Sequence, residues 1–432
     1  MDIPLHFEML ASNAPPRVIL HIDMNSFFAS VEQKTYPFLR GKAIAVCGNP
    51  SSRTVVAAAS IEAKQYGVKS AMNLHEARQH CPHIIPVEGC PSRYIDTSLR
   101  LTAIFSTFTD LVEIYSIDEA FLDVTNTADL FGGRSGLARE IKARIRNEVG
   151  LPCSIGVAPN KLLAKLASDM KKPDGLTIIV PGQVAAMLED MPVEELFGIG
   201  TKTAASLAEL DIKTCGELGR FPERILFQRY GINGTKLKHM GLGQDDTPVM
   251  PYYHIPETKS MGHSVTLDKD INDIEQIRRV LLKLSEMVGR RLRRDRYQGK
   301  TVHLCLRYED FTTVGRQKSV QTLVDDGYEI CRVGMEIFNE LYQPGRKVRL
   351  VGISVSNLVQ ELRQTDLFEV PKTLALDLAV DSINNQYGEF TLRRGTLLPR
   401  VRTSKVISPA WRPYKQPVQT QLHNDTEPRN NH

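Results

Sequence analysis

Three acids in two short segments are placed to do metal chemistry: Asp23, ending VILHID, and the pair Asp118-Glu119 inside YSIDEAF. A hard divalent cation such as Mg²⁺ takes oxygen ligands at roughly 2.1 Å and commonly shares carboxylates with phosphate groups. Two such ions about 3.5–4 Å apart can activate a hydroxyl nucleophile and stabilise a leaving phosphate. The arrangement calls for one acid at a strand end and an acidic pair on a neighbouring turn. Acids at strand ends are ordinarily solvated. These interrupt apolar, β-branched runs, where an unpaired carboxylate is costly.

The elements around them can be read from periodicity. Val18 to Ile22 is a short apolar run and reads as a buried strand delivering Asp23 at its end. Val112 to Ile117 and Ala120 to Val124 are β-rich and place Asp118 and Glu119 at or near a hairpin turn. Asn160 to Met170 reads as a helix with Leu162, Leu163, Leu166, Ala167 and Met170 on one face. Further strands are expected at Ala43–Cys47, Val55–Ala59 and Ser154–Val157, and helices at Phe28–Lys34, Ser92–Phe108 and Gly136–Val149. Strands with two intervening helices resemble a split βαβ sheet.

At 432 residues and 48.4 kDa the chain is long for one core. Residues 181–247 read as mostly helical, and the prolines and tyrosines of 248–257 as an extended linker. A second α/β unit is expected over 258–360. Residues 1–16 carry no basic cluster and do not read as a signal peptide. The tail beyond Pro399 is polar and reads as disordered. No run of 18 apolar residues exists, so no membrane span is expected. Seven scattered cysteines, never spaced C-x-x-C, argue for a reducing cytoplasm rather than a disulfide framework. A net charge of +4 is too small to announce a nucleic-acid partner.

HIDMNSFFASVE, YSIDEAFLDVT and SIGVAPNKLLAKLASDMKKPDGL, in that order, resemble the signature segments of the Y-family DNA polymerases, most closely the DinB branch. The resemblance runs from about Arg17 to Phe368. It implies an α/β (α+β) right-hand polymerase: a split-βαβ palm (17–25 and 92–180), small fingers (26–91), a helical thumb (181–247) and a separate α/β little finger (258–360), then a clamp-binding motif and tail (361–432). It implies translesion synthesis without proofreading, with primer-template DNA and dNTPs as substrates and two Mg²⁺ (or Mn²⁺) ions as cofactors, in a cytoplasmic monomer. Asp23 and Asp118 match the metal-binding aspartates, Glu119 the catalytic glutamate, and Met24 a backbone-carbonyl ligand. Asn25 stands where many members carry a second Asp and is not expected to be a ligand. Phe28 matches the aromatic gate that would clash with a ribose 2′-OH, with Phe27 beside it at the nucleotide.

A triphosphate needs cations and N–H donors. Lys172 matches the family's triphosphate lysine. Lys64 stands where most DinB-like chains have arginine, giving a point charge without the bidentate fork. Ile61 and Ala58 replace a usual tyrosine and a frequent threonine, removing two hydroxyl contacts worth roughly 0.5–1.5 kcal/mol each. The E-A-K run at Lys64 also resembles the UmuC branch, whereas DMKKPDGL resembles DinB.

LFGIGTK, with Gly198, Gly200 and Lys202, resembles a helix–hairpin–helix that offers backbone N–H groups to a DNA phosphate. A basic stretch including Arg290, Arg291, Arg293 and Arg294 reads as a phosphate-tracking surface with salt-dependent binding. QTDLF, with Gln364, Asp366, Leu367 and Phe368, resembles the pentapeptide that bacterial polymerases dock on the sliding clamp. Two rivals remain: a nucleotide cyclase built on a similar sheet, and a non-catalytic homologue that binds DNA and the clamp.

Overall fold

The apolar run ending in Asp23 forms strand β1 (Ile19–Met24), and it is apolar because it is central and covered on both faces. The computed structural model describes residues 17–254, 257–360 and 372–398. The described residues divide into two compact units, one comprising 17–48 with 55–254, the other 49–54 with 257–360 and 372–398. Among the described residues no helix is long and apolar enough to cross a membrane.

The first unit holds β1, β2 (Ile44–Cys47), β3 (Ala58–Ala59), β4 (Ile85–Glu88), β5 (Val112–Ile114), β6 (Glu119–Asp123), β7 (Cys153–Ala158) and β8 (Leu176–Ile178). Its larger sheet has the order β5-β6-β1-β7-β8, and a three-stranded sheet has the order β3-β2-β4. β1 runs antiparallel to both neighbours, and its register sets Asp23 opposite Glu119 on β6 and Ser154 on β7. Alternation then sorts β1 into two faces. Leu20, Ile22 and Met24 join a core with Tyr94, Leu101 and Phe105 of the helix Pro91–Phe105 and Leu137 and Ile141 of the helix Gly133–Arg144.

Ile19, His21 and Asp23 take the other face, under the helix Lys161–Met170. Asn160 caps that helix by accepting from the Leu163 N–H. Gly156 on β7 lets it lie directly on the sheet, since a Cβ there would overlap the Ala164 carbonyl and the Ser168 N–H. Leu162, Leu163, Leu166 and Ala167 are buried as the spacing predicts; Met170, the last helical residue, is 48% exposed. Beyond β8 the unit is helical, from Val184–Glu189 through Thr201–Ala208, Cys215–Arg220 and Glu223–Tyr230 to Ile232–Gly241.

The second unit is an antiparallel sheet of β9 (Ser260–Ile271), β10 (Tyr297–Tyr308), β11 (Thr313–Val324) and β12 (Val348–Gln360), ordered β11-β10-β12-β9. The helices Ile274–Arg294 and Gly327–Leu341 bury their apolar stripes against Val302, Leu304 and Leu306. Residues 372–398, expected to be part of a tail, instead build on this unit: the helix Lys372–Tyr387 precedes a short turn that drives Leu397 into the core.

One histidine makes this unit pH-sensitive. Burial of His263, and then the charges of Arg291 and Arg294, push its pKa down from 6.5 to about 4. Above pH 6.5 the ring is neutral folded or unfolded. Between these values only the unfolded chain takes the proton, so stability is lost as pH drops through that window. A urea titration should show wild type losing roughly 1–3 kcal/mol more than His263→Gln from pH 7 to 4. Parallel pH curves for the two proteins would contradict the assignment.

Candidate active site

Asp23, Asp118 and Glu119 come together at one end of the β1–β6 pair. Asp23 faces Glu119 across the strands, and the Met24 N–H donates to the Asp118 carbonyl at 3.0 Å, which fixes the turn carrying the acids. Each carboxylate has a distinct partner. Lys172 donates to Asp23 Oδ2 at 2.9 Å and to Asp169 at 2.6 Å. The Ser116 hydroxyl holds Asp118, and Lys165 with His21 holds Glu119. Two of the acids pair with lysines, and no three acidic, histidine or cysteine side chains among the described residues converge at metal-ligand distance.

The electrostatics separate the acids. Burial raises the Asp118 pKa, the Ser116 hydrogen bond opposes it, and the charges of Asp23 and Glu119 add to the rise, giving about 6. Burial would raise Glu119 as well, but the His21 hydrogen bond and the Lys165 charge prevail and hold it at about 2. His21 is fully buried and its pKa is lowered, chiefly by that burial. Its Nε2 lies 3.1 Å from Glu119 and its Nδ1 2.7 Å from the Ser168 hydroxyl, which donates to the Lys165 carbonyl at 2.8 Å. Asn25 turns away, its amide donating to Ser154 at 3.0 Å and its carbonyl accepting from the Asp174 N–H at 2.7 Å.

Lys64 stands in the same field. Burial and then the Lys172 charge lower its pKa, while Asp23 and Asp118 act in the opposite sense. Lys172 is raised, because Asp23 and Asp169 outweigh the desolvation of its ammonium. Ser26, between β1 and the helix Phe27–Thr35, has a φ of 49°, a left-handed conformation costing on the order of 1 kcal/mol, and its buried hydroxyl has no hydrogen-bond partner. Phe28 is half-buried and stacks on Tyr94. Phe27, read from sequence as a nucleotide contact, is 3% exposed and packs in the core, since consecutive helical residues point about 100° apart.

The other expected sites are scattered. Gly198 has a φ of 99°, which requires glycine, and Gly200 caps the helix Thr201–Ala208. With exposed Lys202, these leave an open helix N-terminus. The arginines of the second unit do not form one surface. Arg293 has 4% of its side chain exposed and is held by Asp377 and Asp381; Arg290 meets Asn385, and Arg294 pairs with Asp295. Arg291 is half-buried, and that burial lowers its pKa. Gln364, Asp366, Leu367 and Phe368 lie outside the described residues.

Sequence reading missed His21, Lys165, Ser168, Ser116 and Tyr94. The available signal was a histidine alternating with Leu20 and Ile22 in a buried strand, where only a partnered imidazole is affordable.

Residues 22–169 match the impB/mucB/samB family and residues 258–367 that family's C-terminal domain. The DNA polymerase IV of Moorella thermoacetica is 43% identical over 384 residues, 88% of this chain and 96% of the relative. DNA polymerase IV 1 of Bacillus subtilis is 40% identical over 392 residues, 89% of this chain and 94% of the relative. A solved Y-family DNA polymerase chimera of Dbh and Dpo4 superposes with a TM-score of 0.71 at 28% identity, covering 80% of this chain and all of that one. With both family models matched and two such relatives covered almost end to end, the chain belongs to the Y-family of DNA polymerases, in its DinB branch.

Proposed function

We propose that the chain is a DNA-directed DNA polymerase of the translesion type, adding deoxynucleoside monophosphates to a primer 3′ end without proofreading. The observation that carries the reading is the register pairing of Asp23 with Glu119, with Asp118 adjoining. Burial chiefly, and then the charges of Asp23 and Glu119, raise the Asp118 pKa to about 6, and a bound cation would offset both. Hard oxygen donors suit Mg²⁺ or Mn²⁺. Asp23, Asp118, Glu119 and the Met24 carbonyl would hold the two ions, which supply Lewis-acid activation of the primer hydroxyl and neutralise charge on the leaving diphosphate.

The chain's own residues do the rest. Lys172, once released from Asp23 and Asp169, binds triphosphate oxygens together with Lys64. His21 and Lys165 keep Glu119 ionised across the neutral pH range. Phe28 presents its ring under the sugar and excludes a 2′-OH. The 196–202 turn grips a DNA phosphate, and the QTDLF segment docks on a bacterial sliding clamp. The chain works as a cytoplasmic monomer with palm, fingers, thumb and little finger, the last extended beyond the sequence reading by residues 372–398.

Lys172→Ala should raise KM for the incoming dNTP about tenfold, the cost of a charged hydrogen bond, with a smaller fall in kcat. Steady-state single-nucleotide insertion measures both, and an unchanged KM would remove Lys172 from the triphosphate site. The test of the reaction class is diphosphate release with and without primer-template. Release that needs primer-template supports the polymerase; release from nucleoside triphosphate alone supports a cyclase.

A further inference from the structure

Glu32 is 1% exposed, a buried acid one helical turn beyond Phe28 on the helix Phe27–Thr35. A buried carboxylate is costly unless fully partnered, and an apolar residue would pack the same space at less expense. This one is fully engaged. Tyr94 donates its hydroxyl to Glu32 Oε1 at 2.6 Å, and the Arg93 guanidinium binds Oε2. Arg93 is itself steered: it donates to the Tyr36 hydroxyl at 3.2 Å and lies 5.1 Å from that ring's centroid.

The far end of the chain of contacts is the Phe28 ring. Tyr94, 2% exposed, stacks on it with centroids 4.2 Å apart and planes 15° from parallel. Phe27 flanks the stacked pair, 5.6 Å from the Phe28 centroid and 6.3 Å from that of Tyr94. Behind the Tyr94 hydroxyl lies Gly89, where even a Cβ would come within 3.2 Å of that oxygen. Glu32 thus holds one end of Tyr94 while the Phe28 ring lies against its face.

We propose that Glu32, with Arg93, is a positioning residue for sugar selection, clamping Tyr94 so that the Phe28 ring stays fixed where a ribose 2′-OH would meet it. The proposal rests on the reading of Phe28 as the sugar gate. Exclusion by contact falls off steeply with distance, so a gate ring needs placement within about 0.5 Å. Stacking alone leaves Tyr94 free to slide along the ring face; the hydroxyl on a fixed carboxylate removes that freedom.

The experiment is single-nucleotide insertion of a dNTP and the matching rNTP by the full chain on primer-template. The ratio of their kcat/KM values is compared for wild type, Phe28→Ala, Tyr94→Phe, Glu32→Ala and Glu32→Gln. Thermal unfolding of each variant runs alongside. Phe28→Ala is expected to lower the ratio on the order of a hundredfold, and Tyr94→Phe and Glu32→Ala about tenfold, through gain of rNTP insertion more than loss of dNTP insertion. Glu32→Gln, which still accepts from Tyr94, is expected to restore most of the selectivity. In a Phe28→Ala background Glu32→Ala should change nothing further. Selectivity relaxed by Phe28→Ala but untouched by Tyr94→Phe would overturn the positioning role, whether or not Glu32→Ala folds. Selectivity untouched by Phe28→Ala would overturn the gate reading itself, and the proposal with it.

Discussion

Asp118→Asn will reduce templated primer extension by on the order of a thousandfold or more, while primer-template affinity stays within a few-fold. The substitution keeps the shape of the side chain and the backbone carbonyl that accepts from the Met24 N–H. What disappears is one anionic oxygen from the set that would hold the ions. The same change should make the protein more stable in metal-free buffer. Asp118 has its pKa raised from 3.8 to about 6, first by burial and then by Asp23 and Glu119. A raised carboxyl is worth least to the folded state when ionised, so stability is lost as pH rises through that window. An amide escapes the penalty. At pH 7 the gain should reach about 1–3 kcal/mol, the pattern of an active site that trades stability for function. Thermal unfolding with a chelator reads it, and a less stable, still active Asp118→Asn protein would contradict both halves.

The second large effect lies in the other unit. Arg293→Met should destabilise it by about 3–5 kcal/mol, because the guanidinium leaves uncompensated charge behind. Its Nε donates to Asp381 at 2.7 Å and a terminal nitrogen to the other Asp381 oxygen at 3.0 Å, with the Asp325 carbonyl at 2.8 Å. Asp377 lies 3.5 Å away, its pKa raised by burial even against the Arg293 charge. Without Arg293 the two aspartates repel each other, and the helix Lys372–Tyr387 loses its polar anchor. Urea unfolding should move accordingly, and proteases should cut within that helix sooner. Adding Asp377→Leu and Asp381→Leu should recover much of the loss, as for other buried ion pairs. Unaltered unfolding and proteolysis would mean the anchor contributes nothing.

Much of the site was legible because its signals are local. An acid ending a β-branched run and an acidic pair between two strands mark Asp23, Asp118 and Glu119 without any knowledge of the fold. The 3.6-residue period marks the helix Lys161–Met170 equally well. What escaped depends on contacts between distant segments. His21 meets Ser168 across 147 positions, and Tyr94 meets Glu32 across 62. No short window contains both members of either pair.

The arginines show the opposite failure. Their density invited a single basic surface, but Arg290 and Arg293 are taken up by Asn385 and Asp381 of the helix Lys372–Tyr387, and Arg294 by Asp295. The acids that bind Arg293 lie 84 and 88 positions away, in a stretch whose sequence resembled a tail. A count of charges along a chain takes no account of which face each one occupies.

The most direct test of the central claim is single-nucleotide insertion on a labelled primer by the purified protein with Mg²⁺, offering each dNTP alone against each templating base. A variant carrying Asp118→Ala and Glu119→Ala runs beside it. The account predicts that the inserted nucleotide follows the template base, that chelation stops insertion, and that the variant binds primer-template yet extends nothing. Wild-type protein that binds primer-template but inserts no nucleotide at high dNTP would contradict it. The altered triphosphate contacts at Ala58, Ile61 and Lys64 would then mark a chain that binds DNA without copying it.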